Sequence, residues 1–344
     1  MSKVRIGIIG AGGIFRSRHF PGLTKIDDAE VVAICNRSKE SGQKIASEFG
    51  LSPDLMTDPK ALLARDDVDA VMIGTWPYKH CPFVLSSLEA GKHTFVQARM
   101  AMNLAEAKQM YSKAQETGLV TQICPAPPWK AGRFLRRLID EGYCGDIYNV
   151  YVSDLSEGMA DPTEPLHWRH IDSYSGLNAL GMGITMERVH RVLGYFSSIT
   201  ARTETYTAER TLPDGSGVAP VERPEMVHIM GRMHNGAEGM FAFSGLARFG
   251  GSSRFEIYGS EGTLVYDMGA KVLGAKAGEN GLKEIPIPVD EIGEWTVEAD
   301  FINAINGGPQ GDTSFYEGLR YMELTEAVAR SMELGQTIRL PLAS

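Results

Sequence analysis

The sequence predicts an α/β protein in which an N-terminal doubly wound parallel sheet is followed by an α+β domain built on an open, mostly antiparallel sheet. Three observations carry this prediction. Over the first 120 residues, short apolar runs alternate with longer amphipathic stretches, the pattern of βαβ units. A glycine-rich turn, Gly10-Ala11-Gly12-Gly13, stands between the first apolar run and the stretch that follows it. Beyond Cys124 the pattern changes to longer strands with β-branched and aromatic alternation. A chain of 344 residues is long enough for two domains, and the change of pattern divides it into residues 1–124 and 125–344.

In chain order, strands are predicted at Val4–Ile9, Ala29–Cys35, Ala70–Ile73, Thr94–Val96 and Val120–Ile123, each a short apolar run. Between them, Lys39–Phe49 carries apolar residues on one side, Pro59–Ala64 opens on an Asp-Pro start, and Phe83–Ala90 stops at Gly91, a C-terminal glycine. Asn103 caps a helix over Leu104–Gly118, with Glu106 as its capping-box partner. Pro125, Pro127 and Pro128 interrupt the pattern, and a helix over Phe134–Glu141 leads into the second domain. Its strands are expected at Ile147–Asp154, Ile199–Thr207, Met226–His234, Gly239–Ala247 and Arg254–Tyr258. The segment Asp161–Gly194 reads as irregular and partly helical, and the polar stretch Leu212–Pro224 as a surface loop.

Composition narrows the function. With 43% hydrophobic and 22% charged residues the chain resembles an ordinary soluble globular protein. No apolar run reaches the length of a membrane span, so no membrane partner is expected. The opening MSKVRIGIIGAGG goes straight into a strand without the parts of a secretory signal, which predicts a cytoplasmic location. A formal charge of -9 argues against a nucleic-acid partner, and the arginines between Arg133 and Arg137 read as a solvated helix face. Cys35, Cys81, Cys124 and Cys144 are too widely spaced for zinc and too few for a disulfide framework. Reduced, mostly buried thiols and no metal site are expected.

The strand, glycine turn and following helix give the context of a Rossmann dinucleotide site. Gly10 allows the tight turn, Gly12 lets a phosphate approach the backbone, and Gly13 and Ile14 lead into the helix whose amides receive it. Phe15 stands where the third small residue of this fingerprint usually falls. The second strand runs into Asn36-Arg37-Ser38-Lys39, the position that reads the adenosine ribose. Asn36 carries no negative charge, and Arg37 with Ser38 and Lys39 can hold a 2′-phosphate through charge-assisted hydrogen bonds. NADP is therefore favoured over NAD. The opposing reading is an exposed loop whose charges only face water.

Several stretches together resemble the Gfo/Idh/MocA family, the NAD(P)-dependent oxidoreductases related to glucose–fructose oxidoreductase and inositol dehydrogenase. They are GAGGIFRSRHFPGL at the start, Gly74-Thr75-Trp76-Pro77-Tyr78-Lys79-His80, Leu88-Glu89-Ala90-Gly91-Lys92-His93, Trp168-Arg169, Gly259-Ser260-Glu261-Gly262-Thr263-Leu264 and the ending Ala327 to Leu340. The resemblance covers nearly the whole length. It implies an enzyme that moves a hydride between nicotinamide and a sugar, polyol or related hydroxylated molecule, and a homodimer or homotetramer. Family members usually carry Glu-Lys-Pro where this chain has Gln97, Ala98 and Arg99, so the lysine that helps position substrate is replaced by alanine. They also tend to show Asp-x-Gly-x-His in the second domain. The matching stretch here is Gly181-Met182-Gly183-Ile184-Thr185, where Thr185 replaces the acid/base histidine.

Oxidising a carbinol requires a base for the hydroxyl proton, and Thr185 cannot be that base alone. Glu187 and His190 lie two and five residues on, sharing a helix face on which Glu187 could orient His190. Against this stand a buried structural histidine and a Glu187 that only pairs with Arg191. Arg99 can hold an alkoxide or carboxylate electrostatically. Thr75, Trp76 and His80 follow the third apolar strand, at the carboxyl edge where ligands of open sheets collect, and Gln97 and Ala98 follow the fourth. Tyr78, Trp168, Arg169 and His170 are the expected substrate contacts, and His167 and His170 read either as proton carriers or as polar loop residues. The leading function is a dehydrogenase with a non-standard acid/base set. The alternatives are redox-assisted glycoside cleavage on bound NAD and a catalytically silent NADP-binding regulator.

Overall fold

The computed structural model describes residues 3–125, 129–250, 253–267, 271–311 and 313–343. Pro127 and Pro128, read above as pattern breakers, lie outside the described residues. The chain forms two compact units, one from Met1–Pro125 with Thr296–Leu319 and the other from Ala126–Trp295 with Arg320–Ser344. The division thus departs from two consecutive halves, because residues 296–319 belong to the first unit.

The first unit is a six-stranded parallel sheet of β1 (Val4–Ile9), β2 (Ala29–Cys35), β3 (Asp54–Met56), β4 (Ala70–Ile73), β5 (His93–Val96) and β6 (Thr121–Ile123), ordered β3-β2-β1-β4-β5-β6. The central strands are mostly apolar because both faces of a parallel sheet are covered, and all four residues of β4 are buried. Asn103 caps the helix Leu104–Thr117 by accepting the Glu106 amide at 3.0 Å. The Glu106 carboxylate reaches back to the Met102 amide, one residue before the cap. The returning segment is tied to the sheet at three places. Phe301 of the helix Val297–Ile305 packs on Phe95 with ring centroids 5.8 Å apart. The Gln122 side-chain amide donates to the Val297 carbonyl at 3.0 Å, and the Ile123 amide to the Thr313 carbonyl at 3.0 Å.

The second unit is built on β7 (Ile147–Leu155), β8 (Phe196–Glu204), β9 (Glu209–Thr211), β10 (Val218–Pro220), β11 (Met226–Met233), β12 (Glu238–Ser244), β13 (Arg254–Gly259), β14 (Gly262–Asp267), β15 (Lys271–Lys276), β16 (Lys283–Ile285) and β17 (Ile338–Arg339). Nine of them form one sheet, β16-β15-β14-β13-β7-β12-β11-β8-β17, in which β7 and β12 are parallel and the other neighbours antiparallel. β9 and β10 pair separately, so part of the expected loop Leu212–Pro224 is a short ribbon. One face of the sheet packs on the helices Gly132–Asp140 and Met182–Leu193 through Trp129, Phe134, Met186, Val189, Phe241 and Phe255. The alternate residues Tyr151, Met230 and Met240 are exposed on the other face.

All four cysteines are buried and free of disulfides, and burial pushes the thiols of Cys35, Cys81 and Cys144 up to about 11. Among the described residues, no helix is long and apolar enough to cross a membrane and no group of three His, Cys, Asp or Glu side chains could hold a metal ion. Arg136 and Arg137 are ion-paired to Asp140, Glu141 and Glu291 on the helix surface.

Candidate functional site

In the first unit the glycine turn has the shape a dinucleotide requires. Gly10 adopts φ +84°, and a Cβ there would sit 2.7 Å from Thr75 Cγ2. A Cβ on Gly13 would meet nothing within 4 Å, and one on Gly12 only the Gly10 carbonyl at 3.9 Å. Open space therefore lies beside the backbone that starts the next helix, and these residues fit a pyrophosphate group. Ile14 flanks the turn, partly exposed. Phe15, expected among the cofactor residues, is instead a core side chain with no exposure. Its ring occupies the position a Cβ on Gly74 would take, so room lost at the third fingerprint position is regained at Gly74.

The ribose-reading loop also departs from expectation. Asn36 Oδ1 accepts the Ala11 amide at 2.8 Å and its Nδ2 donates to the Ala11 carbonyl at 3.2 Å, so the side chain braces the glycine turn rather than facing a ribose. Ser38 caps the helix Lys39–Glu48 by accepting the Ser41 amide at 3.2 Å. Arg37 is exposed at the end of β2.

His80 is fully buried, with Nδ1 2.8 Å from the Arg99 carbonyl and Nε2 2.9 Å from the Thr75 carbonyl. Burial holds its pKa below the ordinary histidine value, with the Thr75 and Arg99 carbonyls opposing. It therefore staples the loops after β4 and β5 together and is not a cofactor contact. Trp76 and Tyr78 are exposed between these anchor points, and Thr75 and Ala98 are half-buried. Gln97 follows β5, its amide donating to the Ile73 carbonyl at 3.0 Å, and Arg99 is buried.

Two residues not singled out in the sequence join Gln97. His19 has no exposure and Glu298 is 2% exposed. His19 Nδ1 lies 2.5 Å from Glu298 Oε1, while His19 Nε2 faces the Gln97 side-chain nitrogen. Signals for both were present: a histidine near the end of the helix after the glycine turn, and a carboxylate beside the buried Val297, Phe301 and Ile302 of one helix face.

In the second unit the expected acid/base pair is not assembled. Glu187 is buried and ion-paired to Arg191 one turn on. His190 packs edge-on against Tyr195 and Phe196 with centroids 5.0 and 5.9 Å away. Neither of its ring nitrogens has a hydrogen-bond partner among the described residues, so Glu187 does not orient it. Burial, assisted by Arg320, pushes the His190 pKa down to about 3. A base with that environment cannot serve near neutrality.

His170 is buried too, beside the ion pair Arg210–Glu225, and burial and then Arg210 lower its pKa. It is part of the unit's interior, and neither of its ring nitrogens has a hydrogen-bond partner among the described residues. Trp168 and Arg169 begin a short 3-10 turn capped by His167, whose Nδ1 accepts the Arg169 amide at 3.2 Å. The exposed Arg169 guanidinium lies over the Trp168 ring at 4.4 Å.

What Thr185 does meet is Asp154, at the end of β7. Thr185 Oγ1 donates to Asp154 Oδ2 at 2.5 Å, and Ser253 Oγ to Oδ1 at 3.3 Å. A Cβ on Gly181 would come within 2.9 Å of the same Oδ2, so this glycine makes room for a carboxylate that arrives from another element. Asp154 is half-buried, and the half-buried Arg188 lies near enough to interact with it electrostatically. Strand periodicity alone marked Asp154 only as a strand end.

Residues 4–124 match a family model described as an oxidoreductase family with an NAD-binding Rossmann fold, and residues 133–265 match the GFO/IDH/MocA C-terminal domain. The chain belongs to the Gfo/Idh/MocA oxidoreductase family. Its first unit contains the family's NAD-binding domain, and the chain is an oxidoreductase. Levoglucosan dehydrogenase of Pseudarthrobacter phenanthrenivorans is 25% identical, with 100% of both chains covered. 1,5-Anhydro-D-fructose reductase of Ensifer adhaerens is 26% identical, covering 98% of each. Among solved structures, an oxidoreductase domain protein from Kribbella flavida superposes with a TM-score of 0.88 at 26% identity, over 99% of this chain and 100% of that one. Levoglucosan dehydrogenase in complex with NADH and L-sorbose gives 0.86 at 24% identity, over 98% and 99%.

Proposed function

We propose that this chain is an NAD(P)-dependent dehydrogenase or reductase acting on a CH–OH group of a sugar, anhydrosugar or polyol, with Asp154 as the proton acceptor and Thr185 as the residue that orients it. The observation that carries the reading is the carboxylate seated over Gly181 and hydrogen-bonded by Thr185. The names of the relatives above, levoglucosan dehydrogenase and 1,5-anhydro-D-fructose reductase, support the substrate class.

When bound, nicotinamide supplies the hydride acceptor or donor. The chain's own residues do the rest. Gly10, Gly12, Gly13 and Ile14 would hold the pyrophosphate, and Thr75, Trp76, Gln97 and Ala98 would border the nicotinamide end. Asp154 takes the hydroxyl proton during oxidation and returns it during reduction, while Trp168, Arg169 and Arg188 orient hydroxyl or carboxylate groups.

Asp154→Asn is expected to lower kcat by about 10²- to 10⁴-fold with the Kd for cofactor unchanged. Unchanged turnover would overturn the assignment. The same assay, run on levoglucosan, inositols and 1,5-anhydrofructose, separates the reaction types. Net NAD(P)H formation or consumption supports the dehydrogenase, whereas glycone release without net cofactor turnover supports redox-assisted cleavage.

The cofactor reading extends to a preference for NADP through the exposed Arg37. Its replacement by alanine is expected to weaken NADP more than NAD by about 1–3 kcal/mol, the worth of hydrogen bonds to a charged group. Equal losses in a titration of both nucleotides would remove the preference. The reading also includes self-association through the uncovered face of the nine-stranded sheet, where Tyr151, His228, Met230, Met240, Arg254 and Glu256 line a concavity of about 600 Å³.

A further inference from the structure

Gln97, His19 and Glu298 form a buried chain of polar groups that the proton-transfer chemistry does not use. An amide nitrogen can only donate, so the contact between Gln97 Nε2 and His19 Nε2 requires a lone pair on that ring nitrogen. The ring proton then sits on Nδ1, where Glu298 Oε1 accepts it at 2.5 Å. His19 cannot turn away, because its ring is held at 4.7 Å from Phe15 and 5.2 Å from Phe95. Glu298 is confined from its far side, since a Cβ on Gly22 would collide with its carboxylate.

The consequence falls on Gln97. Its side-chain nitrogen is engaged by His19, which leaves its carbonyl oxygen as the group that can accept from a ligand. The residue stands directly beyond β5, anchored by its backbone to the end of β4. That is the carboxyl edge of the parallel sheet, where the nucleotide of such folds lies. We propose that Glu298 and His19 are positioning residues that lock the Gln97 carboxamide with its carbonyl presented to the nicotinamide carboxamide, so that binding energy at the nicotinamide end depends on a carboxylate in the returning helix. This inference rests on the cofactor reading above.

The test compares NADH with ADP-ribose, which shares the phosphates and adenosine but lacks nicotinamide. Calorimetric titration of Glu298→Leu is expected to show NADH affinity about tenfold weaker, the size of one hydrogen bond, with ADP-ribose affinity within about twofold of the parent. Glu298→Gln keeps a carbonyl that can accept the Nδ1 proton and is expected to restore most of the NADH affinity. Equal weakening of both ligands would make the triad merely structural and overturn the proposal, as would no change in either. Where the leucine variant does not fold, Gln97→Leu leaves the buried pair untouched and must show the same selective loss; unchanged NADH affinity in that variant overturns the proposal. Failure of the parent protein to bind ADP-ribose would instead sink the cofactor reading on which it rests.

Discussion

At the scale of single residues, burial decides which ionisable groups can act. Asp154 and His190 both belong to the second unit, yet one is half-buried and hydrogen-bonded while the other is enclosed by aromatic rings. The enclosure has a measurable consequence. The unfolded chain takes up a proton on His190 near pH 6.5, whereas the folded chain resists until about pH 3. As pH falls through that window the unfolded state binds more protons, so stability falls with it, by up to about 1.4 kcal/mol per pH unit from this residue. His190→Phe is expected to flatten that slope between pH 6.5 and 5 in urea unfolding at a series of pH values; an unchanged slope would show that the imidazole titrates normally. His19, Glu298 and Asp154 escaped sequence reading for a common reason. Each meets a partner remote in sequence, and periodicity, though it marked Glu298 as lying on a buried helix face, does not name that partner.

At the scale of elements, legibility followed environment. Val4–Ile9, Ala29–Cys35 and Ala70–Ile73 were readable with their observed bounds, because parallel strands covered on both faces carry near-continuous apolar runs, broken here only by Arg5 and Glu30. β3 has only three residues, too few for any period to register. β8 was expected at Ile199–Thr207 but spans Phe196–Glu204. Its alternation continues beyond the strand, and Glu225 ends it by accepting the Tyr206 and Thr207 amides at 3.0 and 2.8 Å. The glycine turn was legible in the same way, as a local pattern, whereas the exchange of bulk between Phe15 and Gly74 joins two turns 59 residues apart. Thr185 at the position of the usual histidine was visible at once, whereas its hydrogen bond to Asp154, 31 residues away, required the fold.

At the scale of the whole molecule, family and fold class were readable from the order of short motifs, while the assignment of residues 296–319 to the first unit was not. The sheet of the second unit supplies the test of assembly. Exposed methionine and tyrosine side chains occupy a face that also carries both signs of charge at Arg202, Arg254 and Glu256, a composition suited to a second copy of the chain. Light scattering is expected to report a dimer or tetramer for the parent protein and a smaller species for Met230→Lys combined with Met240→Glu. A parent protein that is monomeric at high micromolar concentration would rule this face out as a self-association surface.

The return of residues 296–319 to the first unit also bears on synthesis. A ribosome that has delivered residue 125 has supplied every strand of the parallel sheet, but neither Glu298 nor Phe301 nor the Thr313 carbonyl that secures β6. The nucleotide-binding unit can close its interior only after the second sheet up to β16 has emerged, so its completion waits on residues 296–319 and not on its first 125 residues alone.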